Sequence, residues 1–424
     1  MRCPKTGLLA LAEAIYMIDL SSAVLVRRQD RTTTVYNLPT KMIADPTHIR
    51  KDPQRASAEH ELAPVAWKQS ATSSEFTLHQ LAPYIGKLKS TIARDLIDKY
   101  SKPGDVVVDP FSGSGTIPLE AVQAGRRVVA SDVSSYAATL TQAKLSPPSS
   151  LSEAHAVAEM LLSAAEASPQ ADLRKVPKWV RGYFHPRTLR ESIAFSRICH
   201  NEGNHFLMAC LLGILHHQRP GFLSYPSSHL VPYLRDRKYP RSLFPEMYAY
   251  RPLRPRLLAK VDRAYRRAIN PSADAVFRQV SVETLTLSEH FDAMITSPPY
   301  MNALDYARDN RLRLWFLDEH LDFGRNDQHN SSQTAFTRQM VAVAQLNEVG
   351  LAKGGRCVLV VGESVGRSKK MHPAQQMIAI FQAQAPSLVL EKITVDSIPD
   401  IRRSRREYRG VKEEQIIVFR KVED

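Results

Sequence analysis

Short apolar runs alternate with segments of helical period along most of the chain, a pattern that predicts an α/β fold. Ile92, Leu96, Ile97 and Tyr100 recur at helical spacing and stop before Pro103-Gly104, which predicts a helix over 91–100. Val106-Val107-Val108 then reads as a buried strand closing on Asp109. Leu119, Ala121, Val122 and Ala124 follow as a helix with Pro118 in its first turn and Gly125 as its stop, and 127–132 is the next strand. Strands recur at 276–282, 291–296, 356–362, 388–395 and 414–420; helices recur at 304–318, 341–349 and 373–384, with a turn at Lys353-Gly354-Gly355. The helix over 304–318 is expected to expose Arg308, Arg311 and Arg313. Between the second and third strands, 146–275 is too long for a loop and reads as a folded insertion, with an Ala-rich helix at 152–167 and a buried one at 206–215. Residues 1–75 show weak periodicity and scattered prolines, so peripheral or flexible structure is expected there and order from about Phe76 onwards.

Composition adds a partner. Net charge is +14 with pI near 9.6, which favours a polyanion over an acidic small molecule. Residues 173–278 hold 20 Lys and Arg against 6 Asp and Glu, so this segment alone balances to the whole +14 excess. The four cysteines, Cys3, Cys199, Cys210 and Cys357, form no C-x-x-C pair and no zinc spacing, and adjacent His216 and His217 point apart on a helix. A reduced cytoplasmic protein without a metal is the expectation. Glu13 and Asp19 interrupt the apolar start, and no run approaches the roughly 20 apolar residues of a membrane span.

Two stretches carry candidate chemistry. The first strand runs into Pro110-Phe111-Ser112-Gly113-Ser114-Gly115-Thr116, and an acid, Asp109 or Asp132, closes each of the two flanking strands. In such a turn glycines let a ligand approach the backbone, and the second acid accepts from ribose hydroxyls. A dinucleotide fingerprint needs glycine where Pro118 stands, and a phosphate-cradling loop needs Gly-Lys-Ser/Thr; neither is met, which favours a cofactor without phosphates. The second stretch is Ser297-Pro298-Pro299-Tyr300. Its prolines cannot extend a ladder, so the strand tip presents a hydroxyl, rigid carbonyls and an aromatic face. A ligand-free turn is the plain alternative for each.

Basic and aromatic residues interleave through Arg219, Tyr225, Arg235, Arg237 and Lys238, a mixture suited to phosphate contact plus stacking; a solvated basic face is the alternative. Arg402 and Arg405, in a basic loop near the end, suit a phosphate backbone or mere solubility.

Asp109-Pro110-Phe111-x-Gly113-x-Gly115-Thr116 together with Ser297-Pro298-Pro299-Tyr300 resembles the amino-group DNA methyltransferases that use S-adenosylmethionine, particularly the cytosine-N4 type. Tyr84-Ile85-Gly86-Lys87 resembles that family's aromatic-x-Gly-Lys motif. The resemblance covers about 76–145 and 276–420. It implies a Rossmann-like, mostly parallel sheet with helices on both faces and a largely helical inserted domain. The implied division is an N-terminal extension (1–75), the first part of the catalytic domain (76–145), a basic target-recognition insertion (146–275) and the second part with the Ser-Pro-Pro-Tyr tip (276–424). S-adenosylmethionine is then expected against Tyr84, Gly86, Lys87, Asp109 to Gly113, Gly115, Thr116 and Asp132, with Glu283 at the adenine. The implied partners are double-stranded DNA and a cognate restriction endonuclease, with no membrane and no metal.

The implied reaction moves a methyl group from a sulfonium to an exocyclic amine. Ser297 Oγ and the Pro298 carbonyl would accept the two amine hydrogens, and Tyr300 would stack on a base flipped out of the duplex. Cytosine C5 chemistry is disfavoured because no cysteine follows a proline. Serine in the first tip position leans to cytosine-N4 over adenine-N6 within the family. An RNA amino-methyltransferase and a nucleic-acid-binding protein with an inactive catalytic domain are the rival readings.

Overall fold

The computed structural model describes residues 24–29, 32–37, 59–68, 75–217, 221–224, 236–267, 274–299, 306–318, 333–364, 373–397 and 411–422. The chain divides into two units. Met1–Pro53 with Thr286–Glu289 make the first, in which β1 (Val24–Gln29) and β2 (Thr32–Asn37) pair antiparallel with Val24 opposite Asn37. The second unit is Gln54–Leu285 with His290–Asp424. Its strands are β3 (Glu59–Leu62), β4 (Val106–Asp109), β5 (Arg127–Ser131), β6 (Ala275–Arg278), β7 (Phe291–Thr296), β8 (Leu351–Ser364), β9 (Leu388–Ser397) and β10 (Val411–Lys421). They form one sheet in the order β3-β9-β10-β8-β7-β4-β5-β6. Every pairing is parallel except those of β10, which runs antiparallel to both β8 and β9. The expected Rossmann-like, mostly parallel sheet is what these residues form.

Side chains alternate across strands, so each strand feeds two cores. Ala293, Ile295, Val358, Val360, Ile416 and Val418 share one core with α2 (Ser90–Tyr100) and with Ile117, Ala121 and Val122 of α3 (Thr116–Gln123). The residues between them face the other way. Phe419 stacks on Phe381 with ring centroids 4.3 Å apart, and Met294 Sδ lies 3.1 Å from Asn347 Nδ2. Asn347 and Phe381 belong to α11 (Gln333–Gly350) and α12 (Pro373–Gln384). Helices therefore cover both faces.

Between β5 and β6 the chain is helical: α4 (Ser135–Leu145), α5 (Leu151–Ala167), α6 (Lys178–Arg181), α7 (Pro186–Asn201), α8 (His205–Ile214) and α9 (Leu253–Ala264). The starts of α4, α5, α7 and α8 are capped by side chains, among them Ser150 Oγ accepting from Glu153 N–H at 3.1 Å and Asn204 Oδ1 from Leu207 N–H at 2.9 Å. These helices, residues 78–82 and α10 (Tyr306–Leu317) share one apolar core.

Three elements depart from the sequence pattern. Order in this unit begins before Phe76: β3 pairs parallel with β9, His60 opposite Ile393, and buried Trp67 of the short helix α1 (Val65–Lys68) donates Nε1–H to Asp95 at 3.1 Å. A four-residue edge strand with little burial leaves no apolar period to read. The third strand ends at Arg278 because Val280 N–H bonds back to the Arg278 carbonyl and Thr284 N–H to that of Ser281. The turn expected at 353–355 is absorbed into β8, where the register to β7 shifts between Phe291 and Ala293.

Candidate functional site

β4 is the first strand at the centre of the sheet; β5 and β6 wind to one side of it and β7 and β8 to the other. A crevice is expected at that reversal, over the carboxyl ends of β4 and β7. Those ends carry the two candidate motifs. Buried Thr296 donates its hydroxyl to Asp109 Oδ1 at 2.6 Å, and the Phe111 N–H approaches the same oxygen at 3.3 Å. Burial pushes the Asp109 carboxyl up to about 7 against these two donors, and neighbouring Asp132 pushes the same way. Next along the chain, Ser297 Oγ donates to the Val360 carbonyl of β8 at 3.2 Å. With its proton committed there, the hydroxyl offers lone pairs to anything above it. Pro298 is buried and Pro299 half-buried behind it.

The glycine-rich turn is fixed from below and from the side. Gly113 and Gly115 take φ of +50° and +71°. A Cβ on Gly115 would lie 2.9 Å from Thr141 Cα, so only glycine fits against α4. From α4, Thr141 Oγ1 lies 3.2 Å from Ser112 Oγ, and buried Lys144 donates its ammonium to the Ser114 carbonyl. Thr116 Oγ1 sits 3.0 Å from Ser114 Oγ, so the hydroxyls of Ser112, Ser114 and Thr116 bond within the fold. Asp132 accepts the Gly113 N–H at 2.9 Å through one oxygen and the Ser134 N–H at 2.9 Å through the other. Burial raises its pKa despite these bonds. Gly113 also faces Tyr84, whose Cε1 would be 3.3 Å from a Cβ built there. Tyr84 stacks on Tyr136 at 5.7 Å, and Gly86 turns the chain with φ of +77°.

The structure thus brings together Tyr84, the 109–116 turn, Asp132 and, through Thr296, the Ser297 tip. Gly113 in this turn is half-buried and Gly115 buried, with the Asp132 carboxyl on one side and the Tyr84 ring on the other.

Other expectations fare differently. Lys87 is engaged elsewhere: its ammonium bonds Glu75 Oε1 at 3.1 Å and the His79 carbonyl at 3.0 Å. Glu283 lies in the turn past β6 and pairs with Arg338 Nε at 2.5 Å, a partner in α11 that strand-end logic did not anticipate. Arg313 is not exposed but buried, and Arg311 lies over the Trp179 ring at 4.8 Å; both follow from α10 packing on α4 and α7. Arg237 and Lys238 are exposed, with Lys238 Nζ 5.4 Å from the Tyr239 ring centre. Tyr300, Arg219, Tyr225, Arg235, Arg402, Arg405 and the side chain of Arg308 lie outside the described residues. Among the described residues no cluster of metal-ligand type occurs, and no helix is long and apolar enough to cross a membrane. Cys199, Cys210 and Cys357 are buried and unbridged, and burial raises the thiol pKa of Cys210 to about 12.

Sequence reading missed Thr296, Thr141, Lys144 and Arg313. A polar residue inside an apolar strand or helix was the available signal in each case.

Residues 47–143 match a protein-family model described as DNA methylase, a span that contains Tyr84, the 109–116 turn and Asp132. Over 68 residues the chain is 28% identical to the Type II methyltransferase M.MjaII of Methanocaldococcus jannaschii, which is 16% of this chain and 13% of that protein. The chain therefore spans about an eighth of the length of the curated relative it matches. Among solved structures, TrmN from Thermus thermophilus is 12% identical with a TM-score of 0.32, covering 82% of this chain and 53% of that one. The rRNA methyltransferase aviRa from Streptomyces viridochromogenes is 13% identical with a TM-score of 0.32, covering 84% and 94%. The glycine-rich half of the candidate site lies within a segment similar to the DNA methylase family.

Proposed function

We propose that this protein is an S-adenosylmethionine-dependent DNA methyltransferase that acts on an exocyclic amine, the N4 of a flipped cytosine. The observation that carries this reading is the 2.6 Å hydrogen bond from Thr296 to Asp109, which couples the glycine-rich turn directly to the Ser297 tip. When bound, the cofactor supplies an electrophilic methyl group on a sulfonium.

The chain's residues supply position and polarity. Backbone at Gly113 and Gly115 lets the cofactor lie against the turn, with Tyr84 as the wall and Asp132 as the ribose acceptor. Pro110, Phe111, Ser112 and Thr116 shape that turn, and Gly86 turns the chain beside Tyr84. Ser297, whose proton is held by the Val360 carbonyl, accepts one amine hydrogen; the Pro298 carbonyl accepts the other. Accepting both draws the nitrogen towards tetrahedral geometry and frees its lone pair, so no strong base is needed. Pro299 holds the tip rigid and Tyr300 stacks on the base, offsetting part of the unstacking cost of a few kcal/mol. The basic region 173–278, with Arg219, Tyr225, Arg235, Arg237 and Lys238, brings duplex DNA, assisted by Arg402 and Arg405. The inserted segment 146–275 is then the target-recognition region. A cognate restriction endonuclease belongs to the same reading.

Transfer of labelled methyl groups from S-adenosylmethionine to duplex DNA and to RNA of matched sequence tests it. Label should enter DNA alone; label confined to RNA, or none in either, would reject the proposal.

A further inference from the structure

Arg313 is 6% exposed, and its guanidinium carbon lies 5.8 Å from the centre of the Tyr136 ring. Its Nε is buried without a hydrogen-bond partner, and among the described residues no carboxylate pairs with it. A guanidinium cannot shed its charge by losing a proton, so burial without an anion leaves an electrostatic deficit. The site of this deficit is specific. Tyr136 is fully buried, stacks on Tyr84 at 5.7 Å, and Tyr84 in turn lies against Gly113. A column of two rings thus runs from the glycine-rich turn to the Arg313 guanidinium.

The carrier helix is firmly held. Ser135 Oγ of α4 donates to Asp318 Oδ2 at 2.6 Å, just past the end of α10, and Ser196 Oγ of α7 donates to the Phe316 carbonyl at 2.7 Å. Meanwhile Lys87, the cation that the family resemblance puts near the methionine part of the cofactor, is taken up by Glu75 and the His79 carbonyl.

We propose that Arg313 binds the carboxylate at the amino-acid end of S-adenosylmethionine, an inference that rests on the cofactor reading above. A guanidinium fork matches a carboxylate in two hydrogen bonds, and that match satisfies the buried charge. A DNA phosphate is a poorer occupant, because a polymer backbone reaches a side chain only 6% exposed less readily than the end of a small molecule does.

Calorimetric titration of the full chain with S-adenosylhomocysteine and with 5′-methylthioadenosine, which lacks the amino-acid end, tests the assignment. Arg313→Met should weaken S-adenosylhomocysteine about 10- to 100-fold, the range of a charge-assisted hydrogen bond, and leave methylthioadenosine unchanged. Arg313→Lys, which keeps the charge, should lose less. Unchanged affinity for S-adenosylhomocysteine would overturn the inference, and an equal fall for both ligands would show a merely structural arginine. If the wild-type chain binds neither ligand, the cofactor reading itself fails, and this inference with it.

Discussion

In the proposed reaction, Ser297 is the residue on which the chemistry turns. Its hydroxyl is polarised by the Val360 carbonyl, so Ser297→Ala removes an acceptor and little packing. Methyl transfer should fall about 10²- to 10³-fold, as when one transition-state hydrogen bond is lost, while equilibrium affinity for S-adenosylhomocysteine stays as in the wild type; full transfer activity in the variant would remove Ser297 from the mechanism. Asp109 makes a second prediction through pH. Its folded-state carboxyl is raised from 3.8 to about 7, so the folded protein holds this proton more tightly than the unfolded chain does. The stability this confers is present at low pH and lost as pH rises from 3.8 to about 7. Asp109→Asn keeps the acceptor for Thr296 and should show a smaller loss of unfolding free energy between pH 5 and 8, by at most ~3 kcal/mol for the two or so units between pH 5 and about 7 at about 1.4 kcal/mol per unit. Parallel declines would mean that Asp109 ionises normally. At this scale Ser297, Asp109, Asp132 and both glycines were legible in the sequence because their meaning is local. The burial of Arg313 and Lys144 was not, since whether a cation meets solvent depends on which helices cover it.

The glycine-rich turn works as an element because α4 is pressed against it. Gly115→Ala forces a Cβ to 2.9 Å from a backbone carbon at a φ of +71°, and neither can yield without moving the helix. A stability loss of about 1–3 kcal/mol is expected, together with weakened cofactor binding; a variant that melts and binds like the wild type would mean the turn is not held as described. Most elements were readable from period and punctuation, α12 to the residue, because their apolar faces are complete. β3 was hidden since an edge strand owes its place to β9, more than 300 residues away in sequence. The break at 353–355 looked like a turn since glycines serve bulges and turns alike.

For the whole molecule, the proposed reading gives the sheet the catalytic site and the basic segment the DNA contact. Because the charge excess lies in 173–278, exchanging that segment for one from a protein of different specificity should change the methylated sequence and leave S-adenosylhomocysteine affinity intact. An unchanged target sequence would assign recognition elsewhere. The mostly parallel sheet was foreseeable from the alternation of strands and helices, whereas the way the helical segment shares a core with α4 and α10 was not, because shared burial has no signature in either segment alone. The central claim, that this geometry methylates an exocyclic amine of cytosine in DNA, is tested most directly by nucleoside mass spectrometry of duplex DNA incubated with the purified protein and S-adenosylmethionine. N4-methylcytosine, absent from the Ser297→Ala reaction, is the predicted product; N6-methyladenine, 5-methylcytosine or unmodified DNA would contradict it.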